Sequence, residues 1–201
     1  LYLGMKQRAD AKRDYVARLF EKYQVRISLP APGGPPAEEI RGAQTPVLGS
    51  PTAPVAIIVF SDYQCPYCRE LSKTLNALLE RFAGSVRVIY RHYPLRESTE
   101  RLAQAALCAA DQQQFERYHE GLFAPNPKGL DPAKLAAEMR LDVTGFTSCM
   151  EEQRHRSRIH ADKEEGQRLR LQGTPTLFID GQRFRGAQTF DQLTVAVQQA
   201  L

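Results

Sequence analysis

Cys65-Pro66-Tyr67-Cys68 constrains this chain more than any other stretch, because of what stands on either side of it. Before it runs Val55-Ala56-Ile57-Ile58-Val59-Phe60, and after it an amphipathic segment over residues 69–82. A short apolar run bounded by turn residues reads as a buried strand. In the following segment Leu71, Leu75, Leu78, Leu79 and Phe82 share one helical face, and Ala83-Gly84 supplies the stop. Strand, Cys-X-X-Cys and helix in that order place the first sulfur at a helix N-terminus, where unpaired backbone N–H groups and the helix dipole favour an anion. A cysteine there can titrate at about 3.5–7.5 instead of about 8.5. The second sulfur follows one turn later, close enough to close a disulfide. Such a pair is a two-electron switch and points to thiol–disulfide exchange, with Cys65 as nucleophile and Cys68 as the more buried resolving thiol.

The rest of the chain falls into an arm and a domain. Residues 5–23 form a charged helical pattern with Val16, Leu19, Phe20 and Tyr23 on one stripe, and Val25-Arg26-Ile27-Ser28-Leu29 alternates like a short strand. Residues 30–36 contain four prolines and two glycines, which mark a linker, and a second Pro/Gly-rich connection covers residues 42–54. This divides the chain into an N-terminal helical arm with its linker, residues 1–41, and a domain over residues 42–201. The apolar stripe of the arm needs a surface to pack on, whether its own domain, a second copy of the chain or an upstream domain. Within the domain, Val86-Arg87-Val88-Ile89-Tyr90 is a second strand, and a strand–helix–strand unit of this length crosses over right-handed. Helical patterns follow over residues 98–111 and 115–123, from the Asp131-Pro132 start, and over residues 144–171, where Gly145 and Gly166 are candidate breaks. Thr176-Leu177-Phe178-Ile179 and Gln182-Arg183-Phe184, joined by Asp180-Gly181, form a hairpin, and residues 189–201 a closing helix. The sum is an α/β fold: a mixed four-stranded sheet flanked by helices, with an all-α insert at about 97–171.

With 201 residues, 42% of them hydrophobic, the chain can build a substantial core, and its net charge is only +4. The arginines are scattered over helices as solvated faces, so no nucleic-acid partner is expected. No apolar stretch approaches the roughly 18 residues of a membrane span. The chain begins at Leu1 without a signal peptide, which fits a piece of a longer, exported precursor. Its four cysteines are Cys65, Cys68, Cys108 and Cys149. They allow one redox pair plus one structural disulfide, two buried free thiols, or a four-cysteine zinc site; the last fits poorly, because Cys108 and Cys149 have no close partners. A disulfide closing a loop of about 40 residues would stabilise the fold by about 3–4 kcal/mol. His92, His119, His155 and His160 read as packed or solvated side chains. No metal and no cofactor are expected, and neither a phosphate-cradling loop nor a nucleophilic serine motif is present.

This element order, with Cys-Pro-Tyr-Cys after the first strand, resembles the thioredoxin fold. The helical insert between the second strand and the hairpin is similar to that of the DsbA family of exported disulfide oxidoreductases. The likeness covers residues 46–201 and is carried by three stretches: residues 60–68, Arg91-His92-Tyr93-Pro94-Leu95, and Gly173-Thr174-Pro175-Thr176-Leu177-Phe178-Ile179. The resemblance implies a cis Pro175 beside the redox pair, where the backbone of Thr174 pairs with an extended client peptide as an added strand. It makes Pro66 and Tyr67 supporting residues around the reactive sulfur. The subgroup with Thr before that proline often carries two further cysteines in the insert, where Cys108 and Cys149 lie, and this favours a structural disulfide between them. Implied partners are protein or peptide thiols and disulfides and a membrane redox partner; the implied location is periplasmic or otherwise extracytoplasmic. One departure stands out. Some relatives bear a buried acidic residue in the segment matching Val59, which would relay the proton of the resolving thiol; here Asp62 falls instead in the following turn, leaving that relay to water or backbone.

The expected function is an exported protein thiol–disulfide oxidoreductase working in the oxidase or isomerase direction. Two alternatives stand beside it. Cys-Pro-Tyr-Cys also occurs in glutaredoxin-like reductases, although those lack the insert. The domain would otherwise be a redox-inactive, chaperone-like peptide-binding module. Residues 5–29 are the candidate contact for a homo-oligomer or a fusion partner.

Overall fold

The structure, a computed structural model, describes Tyr15 and residues 46–123 and 130–201. The arm and linker expected over residues 1–41 lie, apart from Tyr15, outside the described residues.

The run read as the first strand is the centre of a sheet. β2 (Val55–Ser61) is buried along its whole length except at Ala56, which is half-buried. It pairs in parallel with β3 (Val86–His92) and antiparallel with β4 (Thr176–Ile179), which continues into β5 (Gln182–Arg185). The Asp180-Gly181 turn has φ of 46° and 75°, the doubly positive geometry of a tight hairpin that glycine favours. The sheet has five strands, not four, in the order β1-β3-β2-β4-β5. The added strand, β1 (Val47–Gly49), lies antiparallel on β3. It falls within the Pro/Gly-rich connection and is only 3 residues long, too short for a two-residue period to register. Gly49 fits there because a Cβ would stand 2.8 Å from the Val86 carbonyl oxygen and its φ is +83°.

Seven helices are present among the described residues: α1 (Pro66–Arg81), α2 (Glu97–Asp111), α3 (Phe115–Leu122), α4 (Pro132–Glu138), α5 (Val143–Glu151), α6 (Arg156–Arg168) and α7 (Phe190–Ala200). Alternation along β2 sorts the core onto two faces. Ile57 and Val59 join Leu71, Leu75 and Leu78 of α1 and Leu193 and Val197 of α7, while Ile58 and Phe60 pack with Phe178 and Leu169. α2 carries the insert onto the first face through Leu102, Ala105, Ala106 and Ala109, and its Ala103 and Leu107 meet Ile159 of α6. The small alanines let α2 be covered on both sides.

The charged run over residues 144–171 breaks at neither glycine. It breaks in the turn between α5 and α6, where Gln153 takes φ 49°. Gly145 and Gly166 are inside helices, and each is a point of close approach: a Cβ on Gly166 would collide with the Tyr93 ring, and one on Gly145 with the Asp142 carboxylate. Asp162, in the helix read as solvated, is fully buried. Its carboxylate accepts hydrogen bonds from Arg91 Nη1 at 2.7 Å and from the His92 backbone N–H at 2.9 Å, which fixes α6 to the end of β3.

Candidate redox active site

Cys65 is the N-cap of α1, in extended backbone geometry, with Pro66 in the first turn where no N–H is needed. The cap is fixed from behind by the Cys65 N–H, which donates to the Asp62 carbonyl at 3.1 Å. The Cys65 sulfur is partly exposed, and its thiol points at the carbonyl oxygen of Thr174 at 3.3 Å. Cys68, one turn along, is buried, with the Asp62 backbone N–H donating to its sulfur at 3.5 Å. Both are free thiols in this structure. The Thr174–Pro175 bond is cis, Pro175 is buried, and Tyr67 turns outward, 64% exposed. The first strand, the first helix and the loop before β4 therefore bring Cys65, Pro66, Tyr67, Cys68, Thr174 and Pro175 to one end of the sheet.

Their environments push the two thiols apart. The Cys65 thiolate is stabilised first by the Cys68 thiol, then by the backbone N–H of Cys68, the Thr174 side chain and the backbone N–H of Tyr67. Against the opposing effect of partial burial these bring its pKa from 9.0 down to about 6. Burial, with the facing Cys65 sulfur, drives Cys68 far up. At neutral pH the outer sulfur is largely an anion and the inner one a thiol, the division of labour that disulfide exchange needs.

Cys108 and Cys149 lie elsewhere, on α2 and α5 inside the insert, bonded to each other with their Cα atoms 5.9 Å apart. Of the histidines, His92 and His119 are buried, while His155 contacts Asp111 and His160 contacts Glu100. One group of potential metal-ligand atoms gathers among the described residues: the Cys108 and Cys149 sulfurs and a ring nitrogen of His155, all within 4.8 Å.

Residues 42–199 match the family model described as Thioredoxin. The chain belongs to the thioredoxin family. It is 32% identical to a solved thioredoxin-like oxidoreductase from Silicibacter pomeroyi, with a TM-score of 0.70 over 78% of this chain and 91% of that one. The thiol-disulfide exchange protein α-DsbA2 from Wolbachia pipientis superposes with a TM-score of 0.72 over 78% of this chain and 87% of that one; at 21% identity this is a likeness of fold. Among curated proteins, the Na(+)/H(+) antiporter NhaA 3 of Salinispora tropica is 32% identical over 180 residues, which is 87% of this chain and 26% of the antiporter. The chain thus spans about a quarter of the length of the curated relatives it matches.

Around this thioredoxin-family pair the structure gives Asp62 and His119 roles that the sequence did not assign them. The Asp62 carboxylate is buried and accepts from the Gln64 N–H at 2.7 Å, the Leu95 N–H at 2.8 Å and Thr99 Oγ1 at 2.9 Å. It organises the turn before Cys65 and ties that turn to the first turn of α2. One helical turn after Cys68, Ser72 meets a buried polar group set among aromatic rings. Tyr63 Oη and His119 Nδ1 are 2.8 Å apart, and Ser72 Oγ lies 3.5 Å from His119 Nε2. The Tyr90 ring packs on His119 at 4.1 Å between centroids. Burial lowers the His119 pKa from 6.5 to about 3, so the ring is neutral. The signal for Asp62 was its place directly after a buried strand; His119 sat in an apolar helical stripe and read as core, which it also is.

Proposed function

We propose that this chain is an exported protein thiol–disulfide oxidoreductase that exchanges disulfides with cysteine-containing client proteins through Cys65 and Cys68. The observation that carries the reading is the paired asymmetry at the N-terminus of α1, an acidified, accessible Cys65 in front of a buried, protonated Cys68. In the oxidised enzyme a client thiolate attacks the Cys65 sulfur. The Cys65–Cys68 bond breaks, its electron pair goes to Cys68, and that sulfur takes up a proton. A second client thiolate then attacks the client sulfur of the mixed disulfide and expels the Cys65 thiolate. The client leaves with one disulfide, and the enzyme holds the two electrons as a Cys68 thiol and a Cys65 thiolate. A low pKa makes Cys65 a good leaving group and stabilises the reduced enzyme, which favours the oxidase or isomerase direction over reductase.

Thr174 and Pro175 serve as the edge on which an extended client segment lies, next to the sulfur it exchanges with. Pro66 and Tyr67 frame that sulfur, and Tyr67 offers an exposed ring to apolar client side chains. A membrane redox partner restores the Cys65–Cys68 disulfide in an extracytoplasmic compartment; no helix among the described residues is long and apolar enough to cross a membrane. The contact to a second copy of the chain or to a fused domain is assigned to residues 5–29. Curated relatives in which the matching stretch is about a quarter of the chain support the fusion reading.

Insulin reduction and oxidative refolding of a scrambled, disulfide-bonded client test the proposal together. Both activities are expected in the wild type and lost in Cys65→Ala. Client binding without turnover in the wild type would instead favour a redox-inactive peptide-binding module, and turnover that requires glutathione would favour a glutaredoxin-like reductase.

A further inference from the structure

The second disulfide sits in a nest of metal-ligand chemistry that the redox site does not use. Cys108 and Asp111 are three residues apart at the end of α2 and so share a helix face. Cys149 lies on α5, and His155 on the turn that leads into α6. His155 Nε2 stands 2.9 Å from Asp111 Oδ2, and the Cys149 sulfur 3.8 Å from that same oxygen. The two sulfurs and the His155 nitrogen fall within 4.8 Å of one another. Three segments therefore bring two sulfurs and an imidazole together, with the Asp111 carboxylate against the imidazole and the Cys149 sulfur. Arg154 also reaches it, with Nη1 3.6 Å from Asp111 Oδ2. The Cys149 backbone is held independently, its carbonyl accepting from the Gln104 side chain at 3.3 Å and the Arg154 N–H at 3.2 Å.

We propose that reduction of the Cys108–Cys149 bond converts this corner into a zinc site, with Cys108 Sγ, Cys149 Sγ, His155 Nε2 and Asp111 Oδ2 as ligands. A dithiol supplies two electrons and two protons, closes its own disulfide and leaves two thiols on the protein. Zn²⁺ then binds both sulfurs as thiolates, and the two thiol protons pass to solvent. Zn–S bonds of about 2.3 Å and a Zn–N bond of about 2.0–2.1 Å suit a tetrahedron built on atoms already this close. Cα atoms 5.9 Å apart let the sulfurs separate by side-chain rotation. Thiolates and imidazole select zinc over magnesium or calcium, and the metal neutralises thiolate charge that burial would otherwise oppose. His155 and Asp111, with side chains 19% and 38% exposed, provide the route in from solvent, and Arg154 swings away as the cation replaces it.

The test uses the full chain carrying Cys65→Ser and Cys68→Ser, so that no other thiols compete. It is reduced anaerobically with a phosphine, which becomes its oxide as the disulfide opens. After one equivalent of Zn²⁺ and desalting, metal analysis should find one zinc per chain in the reduced protein and none in the oxidised one. Co²⁺ in place of zinc should give a thiolate-to-cobalt charge-transfer band and intense tetrahedral d–d bands. Adding His155→Ala or Asp111→Asn should weaken zinc binding by at least roughly tenfold, with the circular dichroism of the oxidised form unchanged. If the reduced chain unfolds without metal, zinc should restore its circular dichroism. The proposal is overturned by a reduced chain that retains no zinc, by binding that His155→Ala leaves untouched, or by a reduced, unfolded chain that zinc fails to refold.

Discussion

Asp62 Oδ2 and Thr99 Oγ1 meet at 2.9 Å, so the turn before the redox pair is hydrogen-bonded to the first turn of the helical insert. The same carboxylate holds the backbone N–H groups of Gln64 and Leu95. The insert is thereby coupled to the cap on which Cys65 rides, through a residue that makes no contact with a client in the mechanism above.

Asp62→Ala leaves the part-buried Gln64 and Leu95 backbone donors without this acceptor, while the Thr99 hydroxyl keeps only the Arg96 carbonyl at 2.9 Å. A hydrogen bond to a charged group is worth about 1.5–3 kcal/mol, and buried groups left unpaired add to the loss. The expected outcome is destabilisation by about 2–4 kcal/mol in urea unfolding, together with slower alkylation of Cys65 at pH 7 as its cap loosens. A variant as stable as the wild type, with unchanged alkylation, would show that the turn holds itself.

The acidity of Cys65 has its own test. Its folded pKa lies near 6 against 9.0 for the free group. The reduced protein therefore gains from the thiolate fully above pH 9 and loses that gain as the pH falls through 6. Iodoacetamide trapping of the reduced chain should show a rate that climbs through pH 6 and levels off by pH 7.5. In Cys68→Ala the midpoint should move upward, because the neighbouring thiol is the largest stabilising influence on the anion. An identical midpoint in the two proteins would mean that the helix terminus alone acidifies Cys65.

Most of the domain was legible because its signals were local. The cap residue, the Pro in the first helical turn, the Asp-Gly hairpin and the apolar periods of α1 and α7 each act within a few residues. What escaped depended on long-range encounters. β1 is a strand only because β3 offers an edge, and its three residues carry no pattern of their own. Gly166 was read as a helix break because glycine disfavours helices in isolation, but Tyr93, far off in sequence, needs the room. At the site, the redox pair and the Thr174-Pro175 loop were visible as motifs. Asp62, Ser72 and His119 are ordinary residues until the fold ties Asp62 to the Cys68 sulfur and His119 to Ser72.

The two buried histidines predict the acid response. Burial holds His92 and His119 each at about 3, below the ordinary 6.5. Unfolded, each takes up a proton below pH 6.5; folded, neither does until about pH 3. Their contribution is thus complete above pH 6.5 and is lost as the pH falls from 6.5 towards 3, at up to ~1.4 kcal/mol per pH unit for each histidine. Urea midpoints measured at pH 7, 5.5 and 4.5 should fall steadily, and His119→Gln should flatten the slope by about half. A midpoint that stays constant from pH 7 to 4.5 would mean that neither ring is held neutral.

The Arg91–Asp162 pair closes the opposite face of the sheet, with both side chains almost fully buried and 2.7 Å between them. Burial raises the Asp162 pKa, and Arg91, the His92 N–H and Arg158 act against it. A buried pair gains little over apolar packing, but removing one member leaves a charge in a dry place. Asp162→Ala removes the carboxylate that faces the buried Arg91 guanidinium and accepts from the His92 N–H, with an expected loss of about 3–5 kcal/mol. Replacing both members, Arg91→Met with Asp162→Leu, should recover much of that stability, since a buried guanidinium then no longer faces an apolar side chain. Both variants keep Cys65 and Thr174 in place, so the Cys65 alkylation midpoint should stay near that of the wild type wherever the protein is folded. Chemical denaturation of the single and double variants decides the matter: a double variant no more stable than Asp162→Ala would show that α6 is held to β3 by the geometry of the pair itself.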